Sequence, residues 1–200
     1  MKTISLFFSA ILLLAGAASG QSLTQADREK GVQYLDQTRD GVVAAIGGLS
    51  EAQLKFKPAP DRWSVAETLE HIAKSEDFIF ANVTDKVMKS PAGPPGRDTA
   101  KIDAMVVAMI SDRSHKAQAP APLVPKSIWT PAESLDHFLA SRAKTIAFLE
   151  STPDLRSHVA DSPIGQPLDA YEWLLFIGAH SARHTKQIEE VKADPNFPRS

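Results

Sequence analysis

A chain of 200 residues with 22 Lys+Arg against 24 Asp+Glu, 43% hydrophobic residues, six histidines and no cysteine falls in the ordinary globular range. A formal charge of −2 offers no basic field to a phosphate backbone, so nucleic acid is excluded as an expected partner, and the composition is not that of a disordered chain. Without cysteine there are no disulfides, thiolate metal sites or thiol nucleophiles, and any chemistry must use histidine, carboxylate or hydroxyl groups.

Residues 1–20 read as a signal peptide. Lys2 is a minimal positive region, Ile4 to Ala15 is apolar, and Ala15 to Gly20 supplies the small residues of a cleavage site. The apolar run falls well short of the ~20 residues that a bilayer-spanning helix needs, so no stable membrane anchor is expected. The expectation is an exported protein, periplasmic or secreted, whose residues 21–200 form one domain.

The first helix is expected over Leu23 to Leu49, capped by Thr24, with Val32, Leu35, Val42 and Ile46 at helical spacing and Gly47-Gly48 as its stop. A Ser50–Leu54 turn and Pro58-Ala-Pro60 separate it from the second helix. Ser64-Val-Ala-Glu67 opens that helix with the spacing of a capping box, in which hydroxyl and carboxylate each satisfy a free N–H. It is expected to run to about Lys89 with Val65, Leu69, Ile72, Ile79 and Val83 on one face.

Seven of the fourteen prolines lie in residues 90–131 and bracket a short helix expected from Thr99 to Arg113, capped by Asp98. The whole stretch reads as a long crossover, which allows consecutive bundle helices to run parallel. Thr130-Pro-Ala-Glu133 opens the next helix, and Asp169-Ala-Tyr-Glu172 opens the last, expected to end near Ala193 before Pro195. No period-two apolar alternation bounded by turn residues is found, so strands are not expected. The fold class is all-α, a four-helix bundle whose long crossover contains an extra short helix.

The last helix carries an apolar stripe of Trp173, Ile177, Ile188 and Val191 into which His180 and His184 are set. Buried imidazoles one turn apart each have a lone pair and an N–H to satisfy, and side chains at i and i+4 stand roughly 5–6 Å apart at Cβ, close enough to share a metal ion. Hydrogen bonding to neighbours, or rotation of the helix toward solvent, would satisfy them as well. Ser181 follows His180 where a zincin needs glutamate, so that protease mechanism is absent. A third ligand would come from His71, His115, His137 or His158. His137 lies off its helix's apolar stripe, His115 and His158 fall in irregular segments, and His71 sits on the flank of the second helix's apolar face. Glu67 or Glu70 could orient His71, and Gln187 could orient His184, although capping and surface roles serve these residues equally. Arg183 lies about 100° around the helix from His184 and reads as a solvated side chain without a catalytic assignment.

Trp63-Ser-Val-Ala-Glu-Thr-Leu-Glu-His71-Ile, preceded by Gly48-Leu-Ser-Glu-Ala-Gln-Leu54 and Pro58 and followed far downstream by Ala179-His180-Ser-Ala-Arg-His184-Thr-Lys-Gln-Ile188, resembles the DinB/YfiT-like superfamily. The resemblance spans residues 24–193. It implies a four-helix bundle in which His71, His180 and His184 bind a divalent metal ion. Three imidazoles leave coordination positions open, and without a carboxylate ligand zinc, nickel and iron(II) all remain eligible. Relatives implied by the resemblance include metal-dependent hydrolases, thiol-dependent S-transferases and isomerases, and stress-related proteins without catalysis. Low-molecular-weight thiols are chiefly cytosolic, so expected export favours a hydrolase acting on a small molecule of unknown identity. Homodimerisation rests on the resemblance alone.

Overall fold

A computed structural model describes residues 22–114 and 116–199; the expected signal peptide and His115 lie outside the described residues. Four long helices form the bundle: α1 (Gln25–Ile46), α3 (Val65–Asp85), α5 (Pro131–Ser151) and α6 (Ala170–Lys192), with short α2 (Glu51–Lys55) after α1 and α4 (Thr99–Ser111) inside the crossover.

Each expected start signal is used. The side chains of Thr24, Ser64, Asp98, Thr130 and Asp169 each accept a backbone N–H in the first helical turn, and Ser64–Glu67, Thr130–Glu133 and Asp169–Glu172 close full capping boxes. The stops are earlier than expected. α1 ends at Ile46, and α3 ends at Asp85 before a 3₁₀ turn over Val87–Lys89, where the fully buried Val87 draws the chain inward. The Ser50–Leu54 turn is the helix α2, because Gln53 completes a capping box with Ser50.

One expectation is corrected. Val159–Ala160 (β1) and Leu168–Asp169 (β2) pair antiparallel, Val159 opposite Asp169, with Gly165 at φ +73 in the turn between them. Two-residue strands are too short to print an alternating pattern, and tertiary closure beside the start of α6 forms them.

Two apolar clusters give the helix directions. Leu35, Ile79, Val83, Leu149 and Leu174 gather at one end; Val42, Leu69, Phe138 and Ile188 gather at the other. α3 and α5 therefore run parallel to one another and antiparallel to α1 and α6, the arrangement that the long crossover permits. α1 and α6 approach closely through reciprocal glycines. A Cβ on Gly31 would come within 2.8 Å of Tyr171, and one on Gly178 within 2.8 Å of Tyr34. α4 packs along α6 and adds the fully buried Val106 to the first of these clusters. No helix among the described residues is long and apolar enough to cross a membrane.

Candidate metal centre

α3 delivers His71 two turns in from its capping box, and α6 delivers His180 and His184 one turn apart. Antiparallel packing of these helices brings one ring nitrogen of each histidine within 4.8 Å of those of the other two. His71 and His184 are buried and His180 is partly so. The Trp63 ring, just ahead of the α3 cap, lies 4.8 Å from the His71 ring and 6.4 Å from that of His184, forming an aromatic wall.

Hydrogen bonds fix the tautomers of two rings. Nδ1 of His71 lies 2.8 Å from the carbonyl oxygen of Leu123, which can only accept, so Nδ1 carries the proton. Nδ1 of His184 lies 2.9 Å from Oε1 of Gln187, and that oxygen also accepts from Nη1 of Arg113 at 3.1 Å. The Arg113 donor sets the amide orientation, so Nδ1 of His184 is protonated too. The two Nε2 atoms then face each other at 3.1 Å with lone pairs only.

A shared proton does not resolve this contact, because it would require a buried imidazolium. Burial lowers the pKa of His71 and, together with its two histidine neighbours, holds that of His184 well below the usual value. Burial, followed by His71, Arg183 and Arg142, pushes His180 down to about 3. A cation between the nitrogens does resolve it. Nitrogens at about 2.0–2.1 Å from one ion stand roughly 2.8–3.4 Å apart for bond angles between octahedral and tetrahedral, and the observed 3.1 Å falls inside that interval. Neutral imidazoles with outward Nδ1–H groups already bonded are the form in which histidine ligates. His71 and His184 therefore fit a shared divalent metal ion, and a ring nitrogen of His180 lies within 4.8 Å of theirs.

Residues 34–188 match the DinB superfamily. The chain belongs to that superfamily. The chain is 26% identical over 149 residues to the uncharacterized protein YuaE of Bacillus subtilis (strain 168), an alignment covering 74% of this chain and 88% of YuaE. Its fold resembles that of YfiT from Bacillus subtilis, described as a probable metal-dependent hydrolase with an unusual four-helix bundle topology. That likeness has a TM-score of 0.54 at 16% identity and covers 89% of this chain and 93% of YfiT. It also resembles a conserved protein from Enterococcus faecalis, with a TM-score of 0.55 at 17% identity, covering 82% and 94% of the two chains.

In this DinB-superfamily chain the crossover carries much of the surrounding support. Lys126 N donates to Oε1 of Glu70 at 3.0 Å, and Lys74 Nζ donates to the Val124 carbonyl at 3.0 Å. These bonds tie residues 123–126 to α3 and present the Leu123 carbonyl to His71. Of the two roles left open for these carboxylates, Glu67 takes the capping one, held also by Lys57, and Glu70 acts one step away from His71 through the crossover backbone. Gln187 does contact His184, as its position three residues along the helix suggested. Arg113, just beyond α4, holds Gln187 while its Nε and Nη2 donate paired hydrogen bonds to the two Glu190 carboxylate oxygens at 3.0 and 2.6 Å.

Beneath the histidines, Arg142 is fully buried with its donors matched. Nε and Nη2 bond Glu76 at 2.7 and 2.8 Å, Nη1 bonds the Leu35 carbonyl and Thr38, and Nη2 bonds Ser181. Ser181, beside His180, thereby anchors the histidine-bearing stretch of α6. His137 is exposed and stacked on Trp129 at 4.0 Å, and His158 bonds the Ser90 carbonyl; neither belongs to the cluster. Arg183 is half-buried instead of solvated, and burial lowers its pKa.

Sequence reasoning missed Leu123, Arg113, Arg142 and a role for Trp63. A backbone carbonyl leaves no trace in residue identity, and Arg113 and Arg142 sit on segments whose proximity to α6 only the packed chain defines.

Proposed function

We propose that His71, His180 and His184 hold a divalent metal ion and that the protein is a metal-dependent hydrolase acting on a small molecule. The facing, unprotonated Nε2 atoms of His71 and His184 carry this reading. The description of the fold relative YfiT as a probable metal-dependent hydrolase supports it.

Three protein ligands leave room for substrate and water, as catalytic sites do and closed structural sites do not. A divalent ion in such a site supplies Lewis acidity toward a carbonyl or phosphoryl oxygen and lowers the pKa of water toward neutrality. The chain's own groups perform the remaining tasks. Leu123 and Gln187 hold two imidazoles in the ligating tautomer. Trp63 limits solvent on one side of the rings. The Arg142–Glu76 pair fixes α3, α5 and α6 relative to each other beneath the site.

The proposed signal peptide at residues 1–20 would place the reaction outside the cytosol, where hydrolysis needs no co-substrate other than water. Protein purified without an affinity tag and repleted with zinc or nickel is expected to retain about one ion per chain. Screening the loaded protein on ester, amide, lactone and phosphoester substrates should reveal an activity that His180→Ala abolishes. Trace metal only, or an activity that survives this substitution, overturns the assignment.

A further inference from the structure

We propose that Ser75 positions the ligand taken up at the open face of the three-histidine centre, and that this ligand is a small anion accepting a hydrogen bond from the Ser75 hydroxyl. The proposal rests on the metal-centre reading above. Ser75 follows His71 by one turn of α3 and is fully buried. Its Oγ lies 3.5 Å from Nε2 of His71.

Three threonines of the bundle helices bond back to the carbonyl four residues earlier: Thr68 to Ser64 at 2.8 Å, Thr145 to Ser141 at 3.1 Å and Thr185 to Ser181 at 2.9 Å. Ser75 does not. Its hydrogen-bond partner among the described residues is Nε2 of His71. That nitrogen has a single lone pair, because its ring is protonated at Nδ1. An ion ligated by Nε2 takes the lone pair and leaves the serine O–H as a buried donor beside the site with no protein acceptor, which is costly.

An acceptor on the ligand at the open face restores the missing bond. A neutral hydroxyl is not among the usual protein ligands of zinc, so Ser75 acts on the bound molecule and not on the ion. The cluster contains histidine alone, with no carboxylate. The ion's charge is therefore not neutralised by its protein ligands, and an anionic acceptor, such as a carboxylate or the oxyanion developing during hydrolysis, matches both the charge and the donor.

The test uses full-length protein loaded with cobalt(II) and titrated with azide, with the visible spectrum as readout. Wild type is expected to take up one cobalt ion and to change its spectrum on binding azide. Ser75→Ala should bind cobalt with unchanged affinity but bind azide about tenfold more weakly, the loss of one hydrogen bond to a charged acceptor. Equal azide affinity in the two proteins, no azide binding by cobalt-loaded wild type, or a parallel fall in cobalt affinity would overturn the role of Ser75 while leaving the metal centre in place. Failure of wild type to take up cobalt would overturn the metal reading, and Ser75 with it.

Discussion

Nε2 of His71 stands 3.1 Å from Nε2 of His184, although the residues are 113 positions apart in the chain and both rings have already spent their protons elsewhere. Two lone pairs held this close repel unless a cation lies between them, so the site should be less stable empty than filled. Metal at a hundredfold excess over its Kd contributes about 2.7 kcal/mol. For a domain of this size that raises Tm by roughly 5–10 °C. Differential scanning fluorimetry should show this shift for wild type on adding zinc or nickel, and no shift for His184→Ala.

Gln187 links His184 to Arg113 and, through it, to Glu190. Gln187→Leu removes the acceptor of the His184 N–H, and metal affinity is expected to fall by about 10–100-fold. Glu190→Ala leaves the Gln187 amide in place and should have a much smaller effect. Competition against a chelating dye measures both, and equal losses would place the control at Glu190 instead.

Arg142 and Glu76 are both buried and bound through two parallel hydrogen bonds. Arg142→Leu leaves the Glu76 carboxylate without its cation, at a cost of about 3–5 kcal/mol in denaturant unfolding. The double variant Arg142→Leu with Glu76→Leu should recover much of that loss, because no buried charge remains. A double variant no more stable than the single one would show that the remaining partners, Thr38, Ser181 and the Leu35 carbonyl, dominate.

At the start of α6, Asp169 and Glu172 are fully buried and face Arg97 and Arg156, with Asp103 on the far side of Arg156. Burial, then the neighbouring Asp169 carboxylate, raises the Glu172 pKa to about 7. The folded state therefore holds a proton that the unfolded chain releases at lower pH. Stability contributed by this group is fully present below the unfolded carboxylate pKa of about 4.5 and is lost as pH rises through about 7. Glu172→Gln, neutral throughout, should flatten the fall in Tm between pH 5 and pH 7.5. An unchanged slope would assign the pH dependence to other groups.

The local rules written into the chain were legible before any packing was known. Capping boxes at Ser64, Thr130 and Asp169 begin helices where they stand because they satisfy backbone N–H groups within four residues of themselves. His180 and His184 share a helix face for the same local reason, and His71 joined them through a resemblance of motifs. Tertiary structure alone decided what lies around those rings. The Leu123 carbonyl reaches His71 from 52 residues away, Arg113 reaches Gln187 from 74, and Arg142 reaches Glu76 from 66. Such contacts depend on how the crossover folds back and how α5 is rotated, and neither is set by the spacing of apolar residues. The absence of cysteine and the presence of six histidines confined the chemistry to nitrogen and oxygen. The packed bundle then separated three converging imidazoles from His137 and His158, because among the described residues only His71, His180 and His184 lie where α3 and α6 press their buried faces together.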